Sequence, residues 1–264
     1  MVLGVLGSPL RAGEGTSRSP TGVPDLRKDA MARTTPQPPY QTPVNFSHPP
    51  RQYEAIRVRQ WSVLVERQLM AEDANLAKRA LARLDKQLGE LLVAFPKSAH
   101  ARLQSLTLFL MHGEKARGGG RDNGLEYFQK DAPQHHKHLD PRMGSSILIY
   151  SAANYVWLSE PRALKALAHE FAHAQHLEQW PETHPEIYDA WQRAMRRRLY
   201  RNVRDEKGNL VTKGYAAVNQ LEYFAELSMV YFVGGNHHPL DRSQLRAYDP
   251  DGYSMVEKLW EVNR

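Results

Sequence analysis

Apolar residues show no period over the first fifty positions, then settle into alternating strand-like and helix-like patterns to the end of the chain. Residues 56–65 are rich in β-branched side chains with partial alternation, which predicts a strand. Across 72–95, Leu81, Leu84, Leu88, Leu91 and Phe95 recur at helical spacing and stop at Pro96, which predicts an amphipathic helix. Residues 103–111 read as a buried strand, so the ordered chain opens strand–helix–strand. A third strand is predicted over 146–150 (S-I-L-I-Y), running into a polar turn at 151–154. Residues 160–179 form a strong helix, with Pro161 in its first turn and a run of Ala and Leu behind it. A further helix is expected over 185–200, and a hairpin over 203–213 that turns at Glu206-Lys207-Gly208-Asn209. Residues 219–232 read as helix, and 242–261 as one or two short helices. There is no internal repeat. The expected fold class is α+β: a small mixed sheet packed against a central helix, with a mostly helical C-terminal half.

Residues 1–50 are rich in Pro, Ser, Thr, Gly and Arg, as in Thr34-Thr35-Pro36-Gln37-Pro38-Pro39. Such a segment buries too little apolar surface to offset its ordering entropy, and a disordered tail is expected. One domain then spans 51–264, with a strand–helix–strand part over 51–112 and the chemistry over 145–264. The glycines Gly118-Gly119-Gly120 lack the lysine-bearing helix start of a phosphate loop and read as a flexible loop.

Composition narrows the chemistry. The 264 residues are 41% hydrophobic and 24% charged, which is ordinary for a globular chain. No apolar run approaches the length of a membrane span. The apolar start Met1-Val2-Leu3-Gly4-Val5-Leu6-Gly7 lacks a charged leader and is short for a signal peptide, so a cytoplasmic location is the default expectation. There is no cysteine, so disulfides and thiolate metal sites are excluded and any metal must be held by His and carboxylate. The net charge of +6 draws attention to Arg193, Arg196, Arg197, Arg198, Arg201 and Arg204. Without aromatic interleaving or a recognisable binding motif, this run reads as a solvated helix face, and no nucleic-acid partner is expected.

His169-Glu170-Phe171-Ala172-His173 lies inside the predicted 160–179 helix. Four residues advance about 400°, so both imidazoles leave one face about 6 Å apart along the axis, as two vertices of a tetrahedral zinc site require. Glu170 follows the first histidine and is placed to take a proton from a water that zinc has acidified. A third protein ligand is needed. His176 shares the face, but about 10 Å of axial distance from His169 keeps three histidines of one straight helix from converging. A role behind the ligands or at the surface is expected for it. A histidine six residues past His173 would mark the metzincin pattern, but that position is Gln179. The remaining source is the Glu222/Glu226 pair at i and i+4, where one carboxylate can bind metal and the other can hydrogen-bond a ligand histidine. Their neighbours Leu221, Tyr223, Phe224, Ala225, Leu227, Met229 and Val230 predict a buried helix, in which paired carboxylates call for a cation or donors.

The stretch from Tyr215 through Asn219 to Glu222-Tyr223-Phe224-Ala225-Glu226, together with H-E-F-A-H, resembles the active-site segments of the anthrax lethal factor type of zinc metallopeptidase. The resemblance covers chiefly 146–264 and extends to uncharacterised bacterial lethal-factor-like domains, which end much like Tyr248-Asp249-Pro250-Asp251-Gly252-Tyr253. It implies a gluzincin with a zincin-like fold and one Zn2+ held by His169, His173 and Glu222. Glu226 and Asn219 would stand behind the ligands, and Tyr215 would donate a hydroxyl to the transition-state oxyanion. It brings no expectation of the substrate or of a toxin's delivery.

On its own chemistry, Tyr215 reads equally as an oxyanion donor and as a packing residue after the hairpin. In gluzincin-like folds an edge strand pairs with bound substrate beside the metal helix, and 146–150 is the expected strand, with Asn154 and Tyr155 lining the cleft. His135, His136 and His138 match no known ligand spacing and read as an exposed loop, and His237-His238 invites the same reading. The function these readings predict is zinc-dependent peptide hydrolysis on a peptide or protein substrate. The alternative is a zinc-stabilised binding protein that has lost turnover and holds a partner on its basic face.

Overall fold

The computed structural model describes residues 51–113, 124–137 and 139–262. The expected tail over 1–50, most of the 113–124 loop, and His138 lie outside the described residues. The architecture is α+β, as the patterning predicts. Five strands, β1 (Tyr53–Val58), β2 (Trp61–Glu66), β3 (Thr107–Leu110), β4 (Leu125–Phe128) and β5 (Ser146–Ile149), form one mixed sheet in the order β1-β2-β3-β5-β4. β2, β3 and β5 run parallel, while β1 and β4 pair antiparallel at the two edges.

Both faces of the sheet are covered, and period-two alternation divides its side chains between them. Val63, Val65, Leu108, Leu110, Ile147 and Ile149 enter the main core beneath the helices. Phe109 and Leu148 point the other way, into a smaller cluster with Met111, Leu139, Met143 and Tyr150.

The helices are α1 (Arg67–Glu72), α2 (Ala74–Ala94), α3 (Lys97–Gln104), α4 (Ala132–His135), α5 (Ala152–Trp157), α6 (Glu160–Leu177), α7 (Pro185–Arg196), α8 (Gln220–Val233), α9 (Arg242–Tyr248) and α10 (Pro250–Leu259). A two-stranded hairpin, β6 (Arg201–Arg204) and β7 (Leu210–Lys213), stands between α7 and α8. None of the described helices is long and apolar enough to cross a membrane.

Two local expectations are corrected, and one strand is added. The strand predicted over 56–65 is a hairpin that turns at Arg59, whose backbone is left-handed at φ 52°. No Gly, Asn or Asp marks this turn. The Arg59 side chain anchors it instead, donating to the Asp85 carbonyl at 2.7 Å and pairing with the Asp85 carboxylate at 3.2 Å. The strand predicted over 103–111 begins as the last turn of α3. Its apolar run joins Leu103 and Leu106, which pack from the helix and its exit, to the four residues of β3. β4 was not foreseen, because four residues are too few to establish a period.

α6 runs through the centre of the helical half. Leu167, Ala168, Phe171 and Ala172 enter the core, and Phe171 meets the rings of Trp61 and Phe95. α8 makes its most extensive contact with α6 and is buried from Glu222 to Tyr231. α7, α8 and α10 meet at Asp249, which is fully buried. Its carboxylate accepts from the Tyr223 hydroxyl at 2.6 Å, the Tyr200 hydroxyl at 2.9 Å and the Gly252 amide at 3.2 Å. Tyr200 holds a left-handed backbone at φ 63°, a conformation costly for a bulky residue and offset here by those bonds. The Y-D-P-D-G-Y motif is therefore a structural knot: Asp249 caps α10, Pro250 starts it, and Gly252 leaves room for the Tyr223 hydroxyl.

A Cβ at Gly252 would collide with Leu227, lie 2.5 Å from the Tyr223 hydroxyl and 2.8 Å from Asp249 Oδ2. Alanine gains about 1 kcal/mol of helix propensity over glycine, but overpacking a filled site costs about 1–3 kcal/mol. The Asp249 hydrogen bonds would be displaced as well. Gly252→Ala is expected to be net destabilising, seen as a lower urea midpoint at unchanged m-value.

Candidate metal centre

Three chain segments build the site. α6 carries His169 and His173 one turn apart, as their spacing requires. α8 starts at Asn219, whose side-chain Oδ1 accepts from the Glu222 amide at 2.8 Å and so fixes the first turn that bears Glu222. Between hairpin and helix, a short 3-10 turn over Tyr215–Ala217 brings Tyr215 over the His169 ring, with centroids 5.6 Å apart.

The ligating atoms converge. His169 Nε2 lies 3.1 Å from His173 Nε2 and 3.1 Å from Glu222 Oε2, and His173 Nε2 lies 3.3 Å from the same oxygen. His169, His173 and Glu222 are the one group of three or more such side chains among the described residues placed to hold a metal ion. Two ring nitrogens and a carboxylate oxygen, each with a lone pair, face one another with limited access to water. Only a shared proton or a cation satisfies such a triangle.

The side chains behind the triangle orient its first histidine. Glu226 Oε1 sits 3.1 Å from His169 Nδ1, which places a hydrogen on Nδ1 and leaves the Nε2 lone pair for the site. Burial by itself would lower the pKa of His169, but the Glu222 and Glu226 carboxylates outweigh it and raise it well above the ordinary value. Burial likewise opposes ionisation of Glu222, yet the two histidines hold its carboxyl well below the usual range. A proton and a metal ion would therefore compete for the same position in the triangle. Comparison of the chain with family models, curated proteins and solved structures finds no match.

Glu170 is held on the neighbouring side. Its Oε2 accepts from the Tyr127 backbone N–H at 2.9 Å, and burial pushes its carboxyl up against the lowering pull of the two histidines. The Tyr127 hydroxyl in turn donates to Glu178, the residue that caps the C-terminus of α6, at 2.6 Å. The strand beside the metal helix is therefore β4. The expectation that 146–150 would be this edge strand fails, because β5 lies inside the sheet between β3 and β4.

The cleft residues inferred from that placement move with it. Tyr155 is fully buried, its hydroxyl donating to Gln87 at 2.6 Å, and cannot line a cleft. Asn154 stands on the same short helix, which packs against α2, with its amide on the Ser151 hydroxyl. His176 is outside the ligand set but is not at the surface. It is fully buried, with Nε2 3.2 Å from the Pro181 carbonyl, and burial lowers its pKa to about 4. Tyr215 is 46% exposed, at the rim beside the His169 ring. Burial, followed by the Glu222 charge, raises the phenol's pKa, so it remains a donor at neutral pH.

His237, expected from sequence to lie in an exposed loop, is instead largely buried. Its Nε2 lies 3.5 Å from Glu226 Oε2, on the loop after α8. Its only sequence signal was a histidine beside another next to glycines, which names no partner. His135 pairs with Asp131 at 3.4 Å on an exposed turn and joins no metal group among the described residues. Arg196, Arg197, Arg198, Arg201 and Arg204 are all exposed.

A divalent transition metal at 100 times its Kd should stabilise the fold by about 2.7 kcal/mol. Calorimetry should show this as a raised Tm in the wild type. His173→Ala and Glu222→Ala should remove the rise, and a rise that survives both would place the ion elsewhere.

Proposed function

We propose that the chain is a zinc-dependent peptide hydrolase of the gluzincin type, with a zincin-like fold. The observation that carries this reading is the triangle of His169 Nε2, His173 Nε2 and Glu222 Oε2, with Glu170 fixed beside it. Tetrahedral zinc with bonds of about 2.0–2.1 Å sets its ligand atoms roughly 3.3–3.4 Å apart. The triangle's edges of 3.1, 3.1 and 3.3 Å lie near that spacing. The likeness of H-E-F-A-H and E-Y-F-A-E, with the preceding tyrosine, to the lethal factor type of metallopeptidase supports the same reading.

His169, His173 and Glu222 would hold the zinc. When bound, zinc supplies Lewis acidity, polarising a peptide carbonyl and acidifying water. The remaining work belongs to the protein. Glu170 takes the proton of the attacking water on its carboxylate and returns it to the leaving amine. The Tyr127 amide holds one Glu170 oxygen and leaves the other for this transfer. The Tyr215 hydroxyl, at the open rim, donates to the oxyanion that forms when the carbonyl is attacked. β4 offers the substrate backbone an edge beside Glu170, in place of the inner strand expected from sequence. Glu226 keeps His169 in the tautomer that presents Nε2.

Digestion of a peptide library by the zinc-loaded protein tests the proposal. The wild type should cleave. Glu170→Gln should retain zinc and lose cleavage. Tyr215→Phe keeps the ring against His169 and should lower kcat by about 10²–10³ with zinc affinity unchanged. Stoichiometric zinc without cleavage of any peptide would instead support a binding protein with a structural metal. Absence of bound zinc would sink both.

A further inference from the structure

Behind the ligands, the loop that leaves α8 folds back onto the β6–β7 hairpin. Asp205 and His237 form an isolated antiparallel bridge, the Glu206 amide donates to the Asn236 carbonyl at 3.1 Å, and the His238 amide donates to the Arg204 carbonyl at 2.7 Å. Lys165, one turn before His169 on α6, donates to the Gly235 carbonyl at 2.6 Å and pairs with Glu206 at 3.3 Å. The loop is thus fastened to both the hairpin and α6, and it carries one side chain toward Glu226.

That side chain is His237. Its ring is 14% exposed, with Nε2 3.5 Å from Glu226 Oε2, while the other Glu226 oxygen is 3.1 Å from His169 Nδ1. Glu226 itself is buried and lies on an apolar helix. A carboxylate there requires donors on both oxygens, and His169 satisfies only one. His237 Nδ1 is buried without a hydrogen-bond partner. A hydrogen on Nε2 suits both facts, because it gives Glu226 its second donor and leaves on Nδ1 a lone pair rather than a stranded N–H. The ring also rests against Gly214, where a Cβ would come within 3.3 Å of its Cε1. Gly214 immediately precedes Tyr215, so His237 touches the backbone that carries the rim hydroxyl as well as the carboxylate behind His169.

We propose that His237 is a positioning residue of the metal centre. It fixes the Glu226 carboxylate, which fixes the tautomer and orientation of His169, so the chain His237–Glu226–His169 tunes metal affinity from outside the ligand set. This rests on His169, His173 and Glu222 holding zinc.

The test is zinc affinity, measured by competition with a chromophoric chelator, alongside the Tm of each metal-free protein. His237→Ala and His237→Asn, which cannot place a donor at the Nε2 position, should weaken zinc binding about 3–10-fold. That is less than the roughly 10–100-fold cost of losing a group that touches a ligand directly. His237→Gln, whose amide nitrogen reaches that position, should recover most of the loss. In a Glu226→Gln background, His237→Ala should have no further effect. Wild-type affinity in the Ala or Asn variant overturns the proposal, and so does a Gln variant no better than Asn. If His237→Ala fails to fold, the Asn and Gln pair still decides. A wild type that binds no zinc overturns the metal reading itself, a result distinct from unaltered binding in the variants.

Discussion

Glu222 and Glu226 are carboxylates on a helix whose other buried positions, from Tyr223 to Tyr231, are all apolar or small. Polar groups there need partners, and α6 supplies His169 and His173, with His237 approaching Glu226 from the loop after α8. Taking the partner from a buried charge costs on the order of 3–5 kcal/mol, comparable with a good part of a domain's whole stability. Helix pairing and site chemistry therefore cannot be separated. α6 and α8 pack tightly because their polar side chains satisfy one another, and the polar side chains meet because apolar faces on the same helices hold the axes close.

The rest of the fold holds that pair in place. α6 is fixed on its core side by Phe171, wedged among Trp61 and Phe95, so the opposite face bearing the histidines has little freedom to rotate. α8 is fixed at its start by the Asn219 cap and farther along by Asp249, which binds Tyr223 and Tyr200 at once. The sheet enters through its edge. β4 is short, and it reaches α6 by the Tyr127 amide on Glu170 and the Tyr127 hydroxyl on Glu178.

What could be read in the sequence follows from what is local in it. The two i, i+4 pairs, the helices that carry them and the α+β class are periodic features, and all reappear. Tyr215 and Asn219 were visible only through their spacing from Glu222 in a known motif, because nothing in their own chemistry separates a rim hydroxyl from a packing one. The misreadings share a different cause. The Arg59 turn depends on Asp85 of another element, β4 has too few residues to show a period, and the place of β5 inside the sheet is a property of strand order. Tyr155 was assigned to a cleft by that mistaken order and is instead buried on Gln87. His237 belongs to the same class, since its partner Glu226 is set by the fold of a loop that carries no periodic signal.

The residues of α6 that matter are restrained by different parts of the chain. His169 is held through both ring nitrogens by α8, with Glu222 on one side and Glu226 on the other. Glu170 is held by β4, 43 residues earlier in sequence. His173 meets the converging triangle through Glu222 and His169. Glu170 and His169, neighbours in sequence, therefore take their orientations from different parts of the fold, one from the sheet and one from α8. Among the described residues Glu170 is hydrogen-bonded through a single oxygen, while His169 beside it meets carboxylates at both ring nitrogens. The proposed hydrolase would need this arrangement, because Glu170 would carry a proton from water to the leaving amine beside a fixed ligand.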